Sequence, residues 1–220
     1  MLVGSLLLFC LLLCTADGDS SCEHATTPKE SLCTGCPPTF NGLPCASTTR
    51  YNDMTKGACG CGDEPNPPDF WTKSKYVSAG NAMLMDPEDP LNSWCPQNCG
   101  RCFQLCSTGG TTNGVSPEPG ICIVTMLENR CGDGYLEDNG PYLCGQELSP
   151  WRCIEDPAAC QANKATNMFG YPAHFDLQDA NLQVTNGLGW DNVEVTFVEV
   201  SCAQGDFGDW NTDCYCPHAL

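Results

Sequence analysis

Two short stretches of this chain hold residue types that could move protons. The first, TTRYNDMTKGACGCG at residues 48–62, sets one carboxylate, Asp53, among hydroxyl, amide and aromatic side chains ahead of a Gly/Cys cluster. The second, AHFDLQ at 173–178, alternates as a strand does: Phe175 and Leu177 on one face, His174, Asp176 and Gln178 on the other. Asp176 therefore has a defined direction. Asp53 reads as a loop acid unless the fold brings the two together. Two carboxylates across a cleft are what glycosidic-bond cleavage requires. One keeps a proton for the leaving oxygen; the other, ionised, attacks the sugar or activates a water, with separations of about 5–5.5 Å and about 6.5–9.5 Å respectively. An aspartate ordinarily titrates near about 3.9, so the acid needs burial or a neighbouring negative charge to hold its proton, and Asp53 is one candidate charge. This predicts an acidic to near-neutral optimum.

The elements that must position these groups are mostly strands. RCFQLC at 101–106 and ICIVTML at 121–127 read as buried strands. In NVEVTFVEVSC, Val193, Val195 and Phe197 alternate with Glu194 and Thr196; Val198 and Val200 then move the apolar character across, which predicts burial on both faces at the strand's end. SKYVSAGNAMLM at 74–85 places Tyr76, Val77, Ala79, Ala82 and Met83 at roughly helical spacing and predicts one short helix. With 22 Gly and 17 Pro between the strands, the chain reads as mainly β with long loops, a barrel or a sandwich.

Bulk properties narrow the partners. Residues 2–13 are largely apolar and small residues follow, the pattern of a signal peptide over 1–16 and too short to span a bilayer; residues 17–220 are then expected as one domain. Eighteen of the twenty cysteines lie beyond that leader, enough for nine disulfides in a secreted chain, each contributing about 2–4 kcal/mol. The CxxC pairs Cys33/Cys36 and Cys99/Cys102 and the CxC pairs Cys59/Cys61 and Cys214/Cys216 imitate zinc spacing, but the secretory route oxidises thiols, so no metal and no cofactor is expected. A net charge of −18, from 27 acids against 9 bases, excludes a nucleic-acid footprint and disfavours anionic membranes while leaving a neutral partner open.

TTRYND, followed after five residues by Cys59, resembles the signature of glycoside hydrolase family 45 endoglucanases, most closely the animal, mollusc-type branch, in which KGACGCG also continues the stretch. FNGLPCASTT (40–49), CGRCFQL (99–105), HFDLQ (174–178), NGLGWDN (186–192), VEVSC (198–202) and CYCPH (214–218) match in the same order. The resemblance implies a six-stranded double-psi β-barrel and inverting hydrolysis of internal β-1,4-glucan bonds; a monomer is the default expectation. It implies Asp53 as general base and Asp176 as general acid. Tyr51 and Thr49 are then expected at the sugar site, with His174 beside the acid in an orienting role. Many members carry a further Asp before the His-Phe-Asp strand; here the loop 161–173 has none, and Asn163 or Asn167 is expected to do part of its work by hydrogen bonding. Position 52 is Asn where many members have an aromatic residue. Trp71 and Tyr76 suit stacking on glucose rings or core burial. Arg50 is expected in a structural ion pair or hydrogen bond. Expansin-like and barwin-like proteins resemble the same barrel and bind walls without hydrolysis; expansin-like members lack the base of the Tyr-x-Asp motif, which this chain has.

Overall fold

The structure is a computed structural model describing residues 30–35, 37–52, 57–61, 74–86, 95–131, 144, 167–207 and 214–216. The expected leader, Asp53, Asn163 and Trp71 lie outside the described residues. Seven strands form one sheet: β1 (Thr39–Phe40), β2 (Leu43–Tyr51), β3 (Val77–Gly80), β4 (Cys102–Thr111), β5 (Cys122–Arg130), β6 (Ala173–Gln178) and β7 (Val193–Val200). One helical turn, α1 (Ala82–Met85), and a 3-10 turn at Cys202–Gln204 complete the described elements. The strand order is β1-β2-β6-β3-β5-β4-β7, and β7 pairs with β2 as well as with β4. The β2–β6 and β3–β5 pairs are parallel; the rest are antiparallel. Among the described residues no helix is long and apolar enough to cross a membrane.

The expected strand at 173–178 is β6, with the same bounds. The expected helix over 74–85 is corrected: Val77–Gly80 is a strand, and helix begins only after Asn81, whose side chain accepts from the Leu84 N–H. All four residues of β3 are buried between β5 and β6, so no polar–apolar alternation marks them. Burial of β7 on both faces is also relocated. It falls on Val193–Thr196 at the start, while Phe197–Val200 is partly exposed.

The core lies on the apolar side of these strands. Phe175, wholly buried, meets Phe103 and Phe197 with ring centroids 5.5 and 5.6 Å away. Leu105, Leu127, Leu177 and Trp190 fill the space around them, each large apolar side chain contributing about 1.5–3 kcal/mol by leaving water. The described residues contain seven disulfides: Cys33–Cys45, Cys59–Cys99, Cys61–Cys214, Cys95–Cys216, Cys102–Cys202, Cys106–Cys122 and Cys131–Cys144. Cys59 and Cys61 join different partners, as do Cys99 and Cys102, so these closely spaced cysteines are disulfide halves rather than metal ligands. The buried carboxylate of Glu194 is structural. It accepts from Ser31 Oγ at 2.7 Å, the Leu32 and Cys33 N–H groups at 3.0 and 3.1 Å, Thr108 Oγ1 at 2.7 Å and the Tyr171 hydroxyl.

Candidate active site

Strand register assembles the site. Thr49 on β2 lies opposite Asp176 on β6, Asp176 opposite Ala79 on β3, and Ala79 opposite Asn129 on β5. Directly opposed residues project to one face, so Thr49, Asp176 and Asn129 share it, with Tyr51 two residues beyond Thr49. Ala79 interposes only a methyl group. Asp176 is the one partly exposed residue of β6; its neighbours on that strand are buried on both faces.

A chain of side chains ends on Asp176. Asn167 Oδ1 accepts the N–H groups of Phe169 and Tyr171, both at 3.1 Å, which turns its Nδ2 toward Ser47 Oγ at 2.5 Å. Ser47 Oγ lies 2.9 Å from His174 Nδ1, His174 Nε2 lies 2.9 Å from Thr49 Oγ1, and Thr49 Oγ1 donates to Asp176 Oδ1 at 2.6 Å. With Ser47 accepting from Asn167 and giving its proton to Nδ1, the imidazole is the Nε2–H tautomer and donates to Thr49. Every donor points the same way, from Asn167 to Asp176. Burial holds the His174 pKa down at about 3, so the ring is neutral at working pH and orients without contributing charge.

Two of the expected residues lie behind the surface of the site. His174 and Asn167 are only 1% and 2% exposed and spend their polar atoms inside the protein. They stand behind Thr49, which together with Asp176 and Tyr51 forms the partly exposed part of the site. His174 and Gln178 share a face with Asp176, yet both are buried while Asp176 is partly exposed.

Two residues went unread in the sequence, Glu128 and Asn129. The β3–β5 register shifts between Ser78 and Ala79, which face Leu127 and Asn129, so Glu128 is the extra residue of a bulge. Bulges re-aim side chains and gather beside active sites. Glu128 is wholly buried and accepts the Tyr51 hydroxyl's hydrogen bond. Asn129 Oδ1 accepts from Ala58 N at 2.7 Å and Arg130 N at 2.8 Å. Burial, then the Glu128 charge and hydrogen bond, then the Asp176 charge push the Tyr51 hydroxyl well above its ordinary pKa. Tyr51 therefore stays protonated with its hydroxyl occupied by protein groups, and its ring is what remains for a ligand. Neither residue had a local signal, since a one-residue bulge follows from pairing.

The remaining candidates sit elsewhere. Arg50 and Asp191 form an ion pair at 3.5 Å between half-exposed side chains, as expected. Trp190 is core. Tyr76 lines an open cleft of about 510 Å³ with Gln104, Val124, Leu188 and Asp206, at the other end of β5 from Asn129. Cys131, Cys144 and His174 bring ligand-type atoms within 4.8 Å of one another, but the cysteines share a disulfide and both imidazole nitrogens are hydrogen-bonded, so the group offers no thiolate.

Comparison with known proteins places this geometry in a family. A family model described as EXPB1-like domain 1 matches residues 46–212. The chain is 33% identical to an endoglucanase of Mytilus edulis over 196 residues, which cover 84% of this chain and 98% of that protein. It is 32% identical to Endoglucanase-5 of Hypocrea jecorina over 177 residues, 78% of this chain and 62% of that protein. Among solved structures, a β-1,4-D-endoglucanase of the blue mussel Mytilus edulis superposes with a TM-score of 0.62 at 34% identity, covering 83% of this chain and 91% of that one. A GH45 endoglucanase in complex with cellobiose gives 0.60 at 38% identity, covering 79% and 91%. Taken with the ordered motifs and the Thr49–Asp176 arrangement, these similarities mean that the chain belongs to the glycoside hydrolase family 45 endoglucanases of the mollusc type.

Proposed function

We propose that this protein is a secreted endo-β-1,4-glucanase that cleaves internal glucan bonds with inversion, Asp176 acting as general acid and Asp53 as general base. One observation carries the assignment of the acid: Asp176 is the partly exposed carboxylate at the end of a one-way hydrogen-bond chain, on the same face as Tyr51. Thr49 donates to Oδ1, so the neutral acid carries its proton on Oδ2, from which it passes to the glycosidic oxygen as the bond to the anomeric carbon breaks. Asp53 takes a proton from the water that attacks that carbon from the opposite face. Asp176 ends ionised and Asp53 protonated, and solvent resets both. Negative charge grows on Asp176 during the step, and a hydrogen bond to an ionised acceptor is about twice as strong as a neutral one, so Thr49 favours the transition state over the ground state.

Several features support the finer reading. The pairing of β7 with β2 fits a six-stranded double-psi barrel, with β1 as an appended ribbon. Seven disulfides fit an extracellular protein. A leader over 1–16, one catalytic domain over 17–220 and a monomer working on neutral glucan, with no part for nucleic acid or membrane, complete the reading. The test is reducing-sugar release from carboxymethyl-cellulose by wild type, Asp53→Ala and Asp176→Ala. Turnover by wild type alone is expected, with all three chains folded. Glucan binding without chain shortening by wild type would return the protein to the non-hydrolytic, expansin-like reading.

A further inference from the structure

Glu128 lies outside the proton transfers just described, yet it touches the chain on both sides of residues 53–56, the stretch containing the proposed base. On the N-terminal side it accepts the Tyr51 hydroxyl's hydrogen bond. On the C-terminal side its carbonyl accepts the Cys59 N–H at 3.1 Å. Gly57 presses against it so closely that a Cβ there would lie 2.6 Å from both its carbonyl oxygen and Oε2. Asn129 holds the C-terminal side as well, its Oδ1 accepting the Ala58 N–H at 2.7 Å. The bulge of β5 puts both residues there: a regular strand would have turned one of them to the opposite face. A wholly buried carboxylate is costly and could serve stability alone. Its two anchor points are, however, the last residue of β2 and the first described residues after 53–56.

We propose that Glu128 is a positioning residue for glucan hydrolysis, clamping both ends of the segment that carries Asp53 and fixing the Tyr51 ring at the sugar site. The inference rests on the endoglucanase reading. Glu128 touches no substrate; it acts through Tyr51 and the 57–59 turn. Displacing a reacting group by about 1 Å can cost about 100-fold in rate. Releasing one end of the clamp is therefore expected to lower kcat by about 10- to 100-fold with KM little changed.

The experiment compares wild type, Glu128→Ala, Glu128→Gln and Tyr51→Phe. The first readout is kcat and KM on carboxymethyl-cellulose, well below each variant's melting temperature. The second, independent of activity, is the rate of tryptic cleavage after Lys56, taken relative to cleavage at other lysines and arginines. Glu128→Ala is expected to lose kcat and to be cut faster after Lys56. Glu128→Gln, which keeps an oxygen acceptor for Tyr51, is expected to recover most of both. Tyr51→Phe combined with Glu128→Ala is expected to lose little more kcat than the worse single variant, because the two share one bond. Unchanged kcat in folded Glu128→Ala overturns the proposal, whatever the proteolysis shows. So does a glutamine variant as impaired as the alanine. If wild type cleaves no glucan, the endoglucanase reading falls while faster cutting after Lys56 still supports the clamp; an unchanged cutting rate overturns the clamp as well.

Discussion

Replacing Thr49 by Val removes one hydroxyl from a nearly isosteric side chain and cuts the chain from Asn167 at its last link. In wild type that hydroxyl donates to Asp176 Oδ1 at 2.6 Å and lies 2.9 Å from His174 Nε2. A hydrogen bond to a neutral partner is worth about 1 kcal/mol and one to a charged partner about 1.5–3 kcal/mol. The acid starts neutral and ends charged, so roughly 0.5–2 kcal/mol of the bond develops along the reaction. At about 1.4 kcal/mol per decade, kcat should fall about 2- to 30-fold. Losing a donor that favours the carboxylate makes Asp176 hold its proton more tightly, so the alkaline limb of the kcat–pH profile should move to higher pH. His174 Nε2 is left without its acceptor in a buried site, at a cost of about 1–3 kcal/mol in stability, seen as a lower Tm. Thr49→Ser should restore rate, profile and stability together. The assay is initial rate on carboxymethyl-cellulose across the pH range, with unfolding followed in parallel. A Thr49→Val variant with wild-type kcat and an unmoved alkaline limb would refute the argument, because Thr49 would then be idle toward Asp176 during the reaction.

Other expectations follow from neighbouring features. His174 has a folded pKa of about 3, below its unfolded value of about 6.5, so the unfolded chain binds the extra proton between those values. Stability should be complete above that window and fall with pH through it by up to about 1.4 kcal/mol per unit. The slope, measured by denaturant titration at several pH values, should flatten in His174→Gln. Glu194→Ala strands donors from Ser31, Leu32, Cys33, Thr108 and Tyr171; it should cost about 3–5 kcal/mol in stability while leaving kcat intact below the lowered Tm. Proton NMR of the first cleavage products should show the α anomer before mutarotation, as inversion of a β-linkage demands; an initial β anomer would assign a covalent route and a shorter carboxylate separation.

How far the sequence could be read depended on how far local pattern carried structural information. β6 was legible to the residue, because Phe175 and Leu177 alternate with polar partners and one face is pure core. The same alternation puts His174, Asp176 and Gln178 on one side but leaves their burial unread, since period two says which residues share a side and not what packs against them. β3 was read as helix because Val77, Ser78, Ala79 and Gly80 are small and buried all round, leaving nothing to alternate. β2 was not identified as a strand, for Cys45–Thr48 is buried on both faces and Thr49–Tyr51 is polar. Strand alternation singles out Asp176, while its role as acid and its neighbours Thr49 and Tyr51 come from motif resemblance. Glu128 came from neither route: its placement depends on one extra residue in the β3–β5 pairing, a long-range fact with no local signature. Asn167 was singled out for hydrogen bonding and does hydrogen-bond, but toward Ser47, inside the molecule.

Central to the account is that Asp176 supplies the proton to the departing sugar. The sharpest measurement is the rate loss in Asp176→Ala on two substrates: a glucan, whose leaving alcohol needs protonation, and a dinitrophenyl cello-oligoside, whose phenolate leaves unaided. A loss of about 100- to 10,000-fold is expected on glucan and a far smaller loss on the aryl glycoside. Equal losses on both, or undiminished glucan cleavage, would contradict it.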